Sequence, residues 1–198
     1  MPARRSGCAA HHGYNRIHAI LGASEQCFAV HPSDMCVALA ALDAVVEVRS
    51  ARGSRRIPMA EFHCLPGNTP QRDTNLEPDE LITAVDLPAD RLGERSHYLK
   101  VRDRASYAFA LVSVAAALEV DGGVVKDARI ALGGVAHKPW RCTTAEKALV
   151  GQRFETSALE RAADESVKGA RALEHNGFKV ELARRSVARA LATAGGAA

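Results

Sequence analysis

Thiols and imidazoles are the groups in this sequence with the widest chemical reach. Five cysteines, Cys8, Cys27, Cys36, Cys64 and Cys142, make an odd and widely spaced set in a chain of 198 residues. A chain that long does not need covalent staples, so a disulfide framework is not expected, and reduced thiols or metal ligation fit better. Cys8 and Cys27 lie in irregular, glycine-containing stretches whose backbone could wrap a cluster and offer N–H groups to sulfur. Their 18 intervening residues make no C-x-x-C chelate, however, and buried free cysteine is the commoner reading of each thiol. No close Cys/His pair suggests zinc. His11, His12, His31, His63, His97, His137 and His175 fall in predicted loops or at strand starts, none at H-E-x-x-H spacing. The sequence has no G-x-S-x-G elbow, no P-loop and no G-x-G-x-x-G. Glu77, Asp79 and Glu80 share a proline-containing loop and read as a solvated turn. Gly133-Gly134 ends a predicted strand, which would permit a close backbone approach but more often makes a simple turn.

Composition narrows the classes. Hydrophobic residues make up 47% and charged residues 25% of the chain, enough apolar surface to offset chain entropy and exclude wholesale disorder. Lys plus Arg number 26 against 23 Asp plus Glu, a net charge of +3 scattered along the chain, so no nucleic-acid partner is expected. The longest apolar run, 108–118, is broken by Ser113 and too short to span a bilayer. No apolar segment follows the arginines of the amino terminus, so that stretch is not a secretory signal by itself.

The elements that must position these groups read as α+β in two lobes. The first thirty residues are irregular. Ser33-Asp34 starts a helix with a capping hydroxyl and an acid in the first turn, and Met35, Leu39 and Leu42 form its apolar stripe over 34–44. Strands follow at 45–49 and 55–57 around a turn at 50–53, and another at 81–87 stops at Pro88. The boundary between lobes falls at 90–95. Beyond it come three antiparallel strands, 97–103, 109–120 and 124–132, the last two joined by an Asp121-Gly122-Gly123 hairpin. Helices at 144–150, 156–173 and 178–192 close the chain. The second carries Leu159, Ala163, Val167 and Ala170 on one face, the third Phe178, Leu182, Val187 and Leu191.

Ordered motifs over nearly the whole chain then resemble one family, the FAD-binding (medium) subunits of molybdenum hydroxylases. They are Ser-Gly-Cys-Ala-Ala at 6–10, Gly-Tyr-Asn-Arg at 13–16, Ala-Ile-Leu-Gly-Ala at 19–23 and Val-His-Pro-Ser-Asp-Met-Cys-Val-Ala-Leu at 30–39. Leu-Pro-Gly-Asn-Thr-Pro at 65–70, Leu-Glu-Pro-Asp-Glu-Leu-Ile at 76–82, His-Tyr-Leu-Lys-Val-Arg-Asp-Arg-Ala-Ser-Tyr-Ala at 97–108, Gly-Gly-Val-Ala-His-Lys-Pro-Trp-Arg at 133–141 and Asn-Gly-Phe-Lys-Val-Glu-Leu-Ala at 176–183 continue the series. The branch resembled most is the flavin subunit of bacterial aldehyde oxidoreductases that carry an extra iron–sulfur cluster.

The resemblance implies that 1–90 is the second half of a flavin-binding domain, with a cluster-loop remnant over 1–30, and that 96–198 is the family's carboxy-terminal domain. It implies that Pro32, Ser33 and Asp34 run beside the flavin and its ribityl chain, that Leu81 and Ile82 approach the isoalloxazine, and that Lys100 sits near the ring, where a cation would stabilise a reduced, anionic flavin. Cys8 and Cys27 match the third and fourth ligands of a [4Fe–4S] cluster, while Cys36, Cys64 and Cys142 match none. The family's glycine-rich amino-terminal lobe and the first two cluster cysteines do not occur, which reads as an amino-terminally truncated subunit. The implied function is electron transfer in a molybdenum-dependent aldehyde- or xanthine-type oxidoreductase, from iron–sulfur clusters through FAD to an external acceptor. The implied partners are a molybdenum-cofactor large subunit and a [2Fe–2S] small subunit. The implied setting is the cytoplasm, or the periplasm if a partner's signal exports the complex. The alternative is a non-catalytic remnant that docks on partner subunits without flavin.

Overall fold

The computed structural model describes residues 8–10, 12–89 and 92–196. Helix α1 (Asp34–Ala41) starts where Ser33 accepts the Cys36 N–H at 3.3 Å, the expected cap. It stops short of residue 44 because Asp43 turns into the left-handed region at φ 52 and Ala44 N–H returns to Leu39 O at 3.0 Å, closing the helix in the manner usually given to glycine. Its buried face is Val37, Ala40 and Ala41. The Met35 stripe is therefore a correction, since Met35 is exposed and only small residues fit where the helix is most deeply enclosed.

Strands β1 (Val45–Ser50), β2 (Gly53–Pro58) and β3 (Leu81–Asp86) form an antiparallel sheet in the order β2-β1-β3. A short helix α2 (Met59–Phe62) and the 63–80 loop connect β2 to β3. Val46, Val48 and Ile57 turn one face of this sheet onto α1.

After a 3-10 turn at Leu92–Arg95, strands β4 (Ser96–Val101), β5 (Val112–Asp121), β6 (Val124–Gly133) and β7 (Trp140–Arg141) make a second antiparallel sheet in chain order. The three expected strands are thus joined by a two-residue fourth. Gly122 and Gly123, at φ 56 and 74, occupy the two hairpin positions that require a left-handed backbone. Strand β5 is buried on both faces over most of its length. Val112, Val114, Ala116 and Leu118 meet helices α3 (Thr143–Leu149), α4 (Thr156–Ser166) and α5 (Phe178–Ala194). Ala115, with Ala131 of β6, meets α1 from the other side. Helix α4 ends at Ser166 rather than 173, with Gly169 left-handed at φ 82 and Arg171 N–H bound to Ile20 O at 2.7 Å.

The irregular amino-terminal segment is pinned to this second layer. Ile20 and Leu21 N–H both bind Val135 O. Asn176 Nδ2 donates to His18 O and Ala19 O at 3.2 and 3.3 Å. Lys179, on α5, is 0% exposed and donates from Nζ to Ile17 O, His18 O and Gly134 O at 3.0, 2.9 and 2.6 Å. Burial, with Arg16 acting in the same direction, brings its pKa down to about 8, so the ammonium persists at neutral pH. Phe178, read as core, is instead partly exposed under the Arg16 guanidinium, 5.0 Å from its ring centroid; the buried register of α5 runs through Lys179, Ala183, Val187 and Leu191. Replacing Lys179 by Met keeps the packing but strands three buried carbonyls. We expect a loss of about 3 kcal/mol, seen in thermal unfolding as a fall in Tm on the order of 10 °C.

Candidate functional site

A cavity of about 540 Å³ opens where the two layers meet. One wall is the 29–34 segment entering α1, including Pro32, Ser33 and Asp34; another is the 108–111 stretch ahead of β5; Gly133 and Gly134 form part of the lining at the end of β6. The glycines are required. A Cβ on Gly133 would lie 2.3 Å from Ser113 Oγ and 2.6 Å from Val37 Cγ2. Gly134 is left-handed at φ 69, and its Cβ would lie 2.9 Å from the carbonyl oxygens of Ala110 and Leu111. The close-approach reading of this pair holds, and the loss of either side chain is what lets α1, β5 and the cavity lining coexist. The rest of the lining combines Ala, Val, Leu, Ile and Phe side chains with polar groups that include His31, Ser33, Asp34, Asp103, Arg104 and Ser113.

A second cavity of about 500 Å³ shares Pro32, Asp34, Arg104, Ala108 and Phe109 with the first and adds Lys100 and Tyr107. Asp34 ties the two together. Its Oδ2 accepts from Lys100 Nζ at 2.6 Å, and its Oδ1 accepts from the Tyr98 hydroxyl at 3.0 Å. Tyr98 Oη also lies 2.9 Å from Ser113 Oγ. Burial, reinforced by the adjacent carboxylate and opposed by Ser113, pushes the Tyr98 phenol far up, so it stays protonated as a donor to Asp34.

Pro32, Ser33 and Asp34 thus line one cavity, and Lys100 is brought to Asp34 beside it. Leu81 and Ile82 are not brought there. They stand 71% and 45% exposed on β3, and neither borders either cavity. Cys8 is exposed. Cys27 is half-buried; its Sγ accepts the Ala29 N–H at 3.4 Å and lies 3.9 Å from His137 Nδ1. Among the described residues neither thiol belongs to a group of three or more donors spaced for a metal, so the donor set here does not fit a cubane by itself. Cys142 is buried, which pushes its thiol far up and leaves it inert. Sequence reading by element type missed Phe109, which it placed inside a strand. The residue lies before β5, 75% exposed at the junction of both cavities. The signal was a large aromatic opening an otherwise small-residue run. The apolar walls and charged rim admit a flat aromatic ring with a polar edge.

Two family models match the chain, the FAD binding domain in molybdopterin dehydrogenase over residues 21–90 and the CO dehydrogenase flavoprotein C-terminal domain over 97–194. The aldehyde oxidoreductase FAD-binding subunit PaoB of Escherichia coli is 50% identical over 190 residues, covering 96% of this chain and 56% of its own length. The glyceraldehyde dehydrogenase medium chain of Sulfolobus acidocaldarius is 37% identical over 128 residues, covering 65% of this chain and 43% of that one. Among solved structures, quinoline 2-oxidoreductase from Pseudomonas putida 86 superposes with a TM-score of 0.70 at 28% identity, over 91% of this chain and 59% of that one. These matches set the fold among flavoprotein domains of molybdopterin-dependent dehydrogenases. The chain belongs to the FAD-binding medium subunits of the molybdenum hydroxylases, and it spans about half the length of the curated relatives it matches. No helix among the described residues is long and apolar enough to cross a membrane.

Beside the first cavity, His63 is buried, and burial, followed by His31 and Lys138, takes its pKa down to about 4 against the pull of Asp73, with His137 adding to the fall. The unfolded imidazole titrates near 6.5, so between those values the unfolded chain holds a proton that the folded chain lacks. The folded protein is therefore expected to keep its full stability with respect to this group above about pH 6.5 and to lose stability progressively towards pH 4. Thermal unfolding of wild type and His63→Gln at about pH 7 and about pH 5 should show a smaller acid-induced fall in Tm for the variant.

Proposed function

We propose that this chain is the flavin-holding part of a molybdenum-dependent aldehyde- or xanthine-type oxidoreductase, and that its junction cavity takes the isoalloxazine end of FAD. The observation that carries the reading is the position of the cavity. Its walls come from both matched regions, residues 29–37 from one and 103–111 with 133–134 from the other. The fit is physical: Gly133 and Gly134 let the backbone of the lining pack directly against Val37, Ser113 and the 110–111 carbonyls, and Phe109, Ala108 and Leu111 offer apolar surface to a ring.

Bound there, FAD would supply the exchange between single-electron and paired-electron transfer that links iron–sulfur clusters to an external acceptor. The protein's residues do positioning work. Ser33 caps α1 and fixes the wall beside Pro32. Asp34 holds the Lys100 ammonium at the rim, where it would favour a more negatively charged ring. Phe109, exposed at the border of the two cavities, would offer its ring face to the flavin. Leu81 and Ile82, which border neither cavity, present an apolar strip that would meet another part of the subunit. Cys8 and Cys27 would supply two thiolates of a [4Fe–4S] centre whose other ligands are not among the described residues. The partners are a molybdenum-cofactor large subunit and a [2Fe–2S] small subunit, with the substrate oxidised on the former.

The test is retention of FAD by the purified chain after incubation and desalting, read by visible absorption. Wild type should retain flavin. Phe109→Ala and Asp34→Ala should each bind at least about tenfold more weakly, equivalent to about 1.4 kcal/mol, while remaining folded by circular dichroism. A folded but colourless wild type, or variants that bind as tightly as wild type, would contradict the proposal.

A further inference from the structure

The fold gathers three donors that sequence spacing keeps apart. His31 precedes α1, Cys36 lies in its first turns, and His63 follows α2. One ligand-capable atom from each lies within 4.8 Å of the other two. The imidazoles pack edge-on, with centroids 4.3 Å apart at 60°. His63 is 7% exposed, and its Nδ1 and the Nε2 of His31 are both buried with no hydrogen-bond partner. A buried ring nitrogen without a partner carries a desolvation cost that neighbouring hydrogen bonds normally remove. Two such atoms in rings that touch, with a thiol alongside, point to something that accepts lone pairs from all three.

We infer that His31, Cys36 and His63 form a binding site for a zinc-type divalent cation. Two imidazoles and a thiolate are a borderline-soft donor set suited to Zn²⁺ or Co²⁺, whereas Mg²⁺ and Ca²⁺ require oxygen ligands that the trio lacks. Bonds of about 2.0–2.3 Å to a tetrahedral ion place donor atoms roughly 3.5 Å apart, so closing the trio takes small side-chain adjustments. The fourth corner is left to water. The next shell carries both signs: Asp73, bound to His137 Nε2 at 2.8 Å, favours positive charge at both rings. Lys138, whose ammonium donates to Ala60 O at 2.8 Å, opposes Asp73 and outweighs it at His63. The ion would clamp the entry to α1, which carries Pro32, Ser33 and Asp34, onto the α2 connection, and because His31 itself lines the junction cavity it would stiffen that wall. The inference does not depend on flavin binding.

The test uses the full chain without a polyhistidine tag, reduced and stripped with chelator, then titrated with Co²⁺ alone. We expect one equivalent to bind with a thiolate-to-cobalt charge-transfer band and the visible bands of tetrahedral cobalt, both abolished by Zn²⁺, and one zinc per chain by elemental analysis after gel filtration. Cys36→Ala, a change any helix accepts, should remove the charge-transfer band. His31→Ala and His63→Ala should weaken binding at least tenfold, and Cys8→Ser and Cys27→Ser should leave it unchanged. No stoichiometric binding, or a band that survives Cys36→Ala and disappears with Cys27→Ser, would overturn the assignment. If the His63 variant fails to fold, the Cys36 variant alone decides.

Discussion

Helix α1 is held between two sheets, and most of what is specific about this structure follows from how little room that leaves. Val37, Ala40 and Ala41 face inward. Ala115 and Ala131 of the second sheet and Val46, Val48 and Ile57 of the first enclose them. At the helix's amino-terminal end the spacing is too small even for a Cβ on Gly133. At the other end Asp43, left-handed where glycine is usual, pairs with Arg141 at 2.5 Å and Arg129 at 3.0 Å. Burial alone would raise its pKa, but the two guanidiniums outweigh that and hold it below the usual value. Asp43 is therefore helix stop and inter-sheet tie at once, and the orientation it fixes delivers Ser33 and Asp34 to the cavity.

The second constraint is the buried ammonium of Lys179. Three carbonyls from two separate segments converge on it, which gives an irregular stretch of backbone the internal hydrogen bonding that a strand or helix would otherwise provide. One of those carbonyls belongs to Gly134, so the group that anchors the amino-terminal segment also fixes the cavity lining. The segment then runs on through the His31 N–H bond to Ala136 O at 2.9 Å into α1. A chain without regular structure over its first thirty residues can in this way present a defined wall.

Local chemistry was legible in the sequence and long-range packing was not. The Ser33 cap and the Gly122-Gly123 turn depend on neighbours a few residues away, and both were read from residue type alone. The α1 stripe was misread because hydrophobic periodicity favours large residues, whereas a helix enclosed on two sides selects small ones. On α5 the reading of Val187 and Leu191 as core holds, whereas Phe178 is exposed and its neighbour Lys179 is buried, because carbonyls from distant segments converge on the lysine. Asp34 was singled out through its resemblance to a family, but its contacts with Tyr98 and Lys100 span sixty-odd residues and could not be read from spacing. The same holds for Cys36, which matches no family ligand yet lies against two histidines.

If the proposal is right, the junction cavity between the two matched regions, and no other surface, receives the flavin ring. A crystal structure of the chain grown with FAD tests it directly. Planar density is expected against Phe109 and the Gly133–Gly134 backbone, with the Asp34–Lys100 pair at its rim. Flavin density clear of Asp34, Phe109 and Gly134 would contradict it.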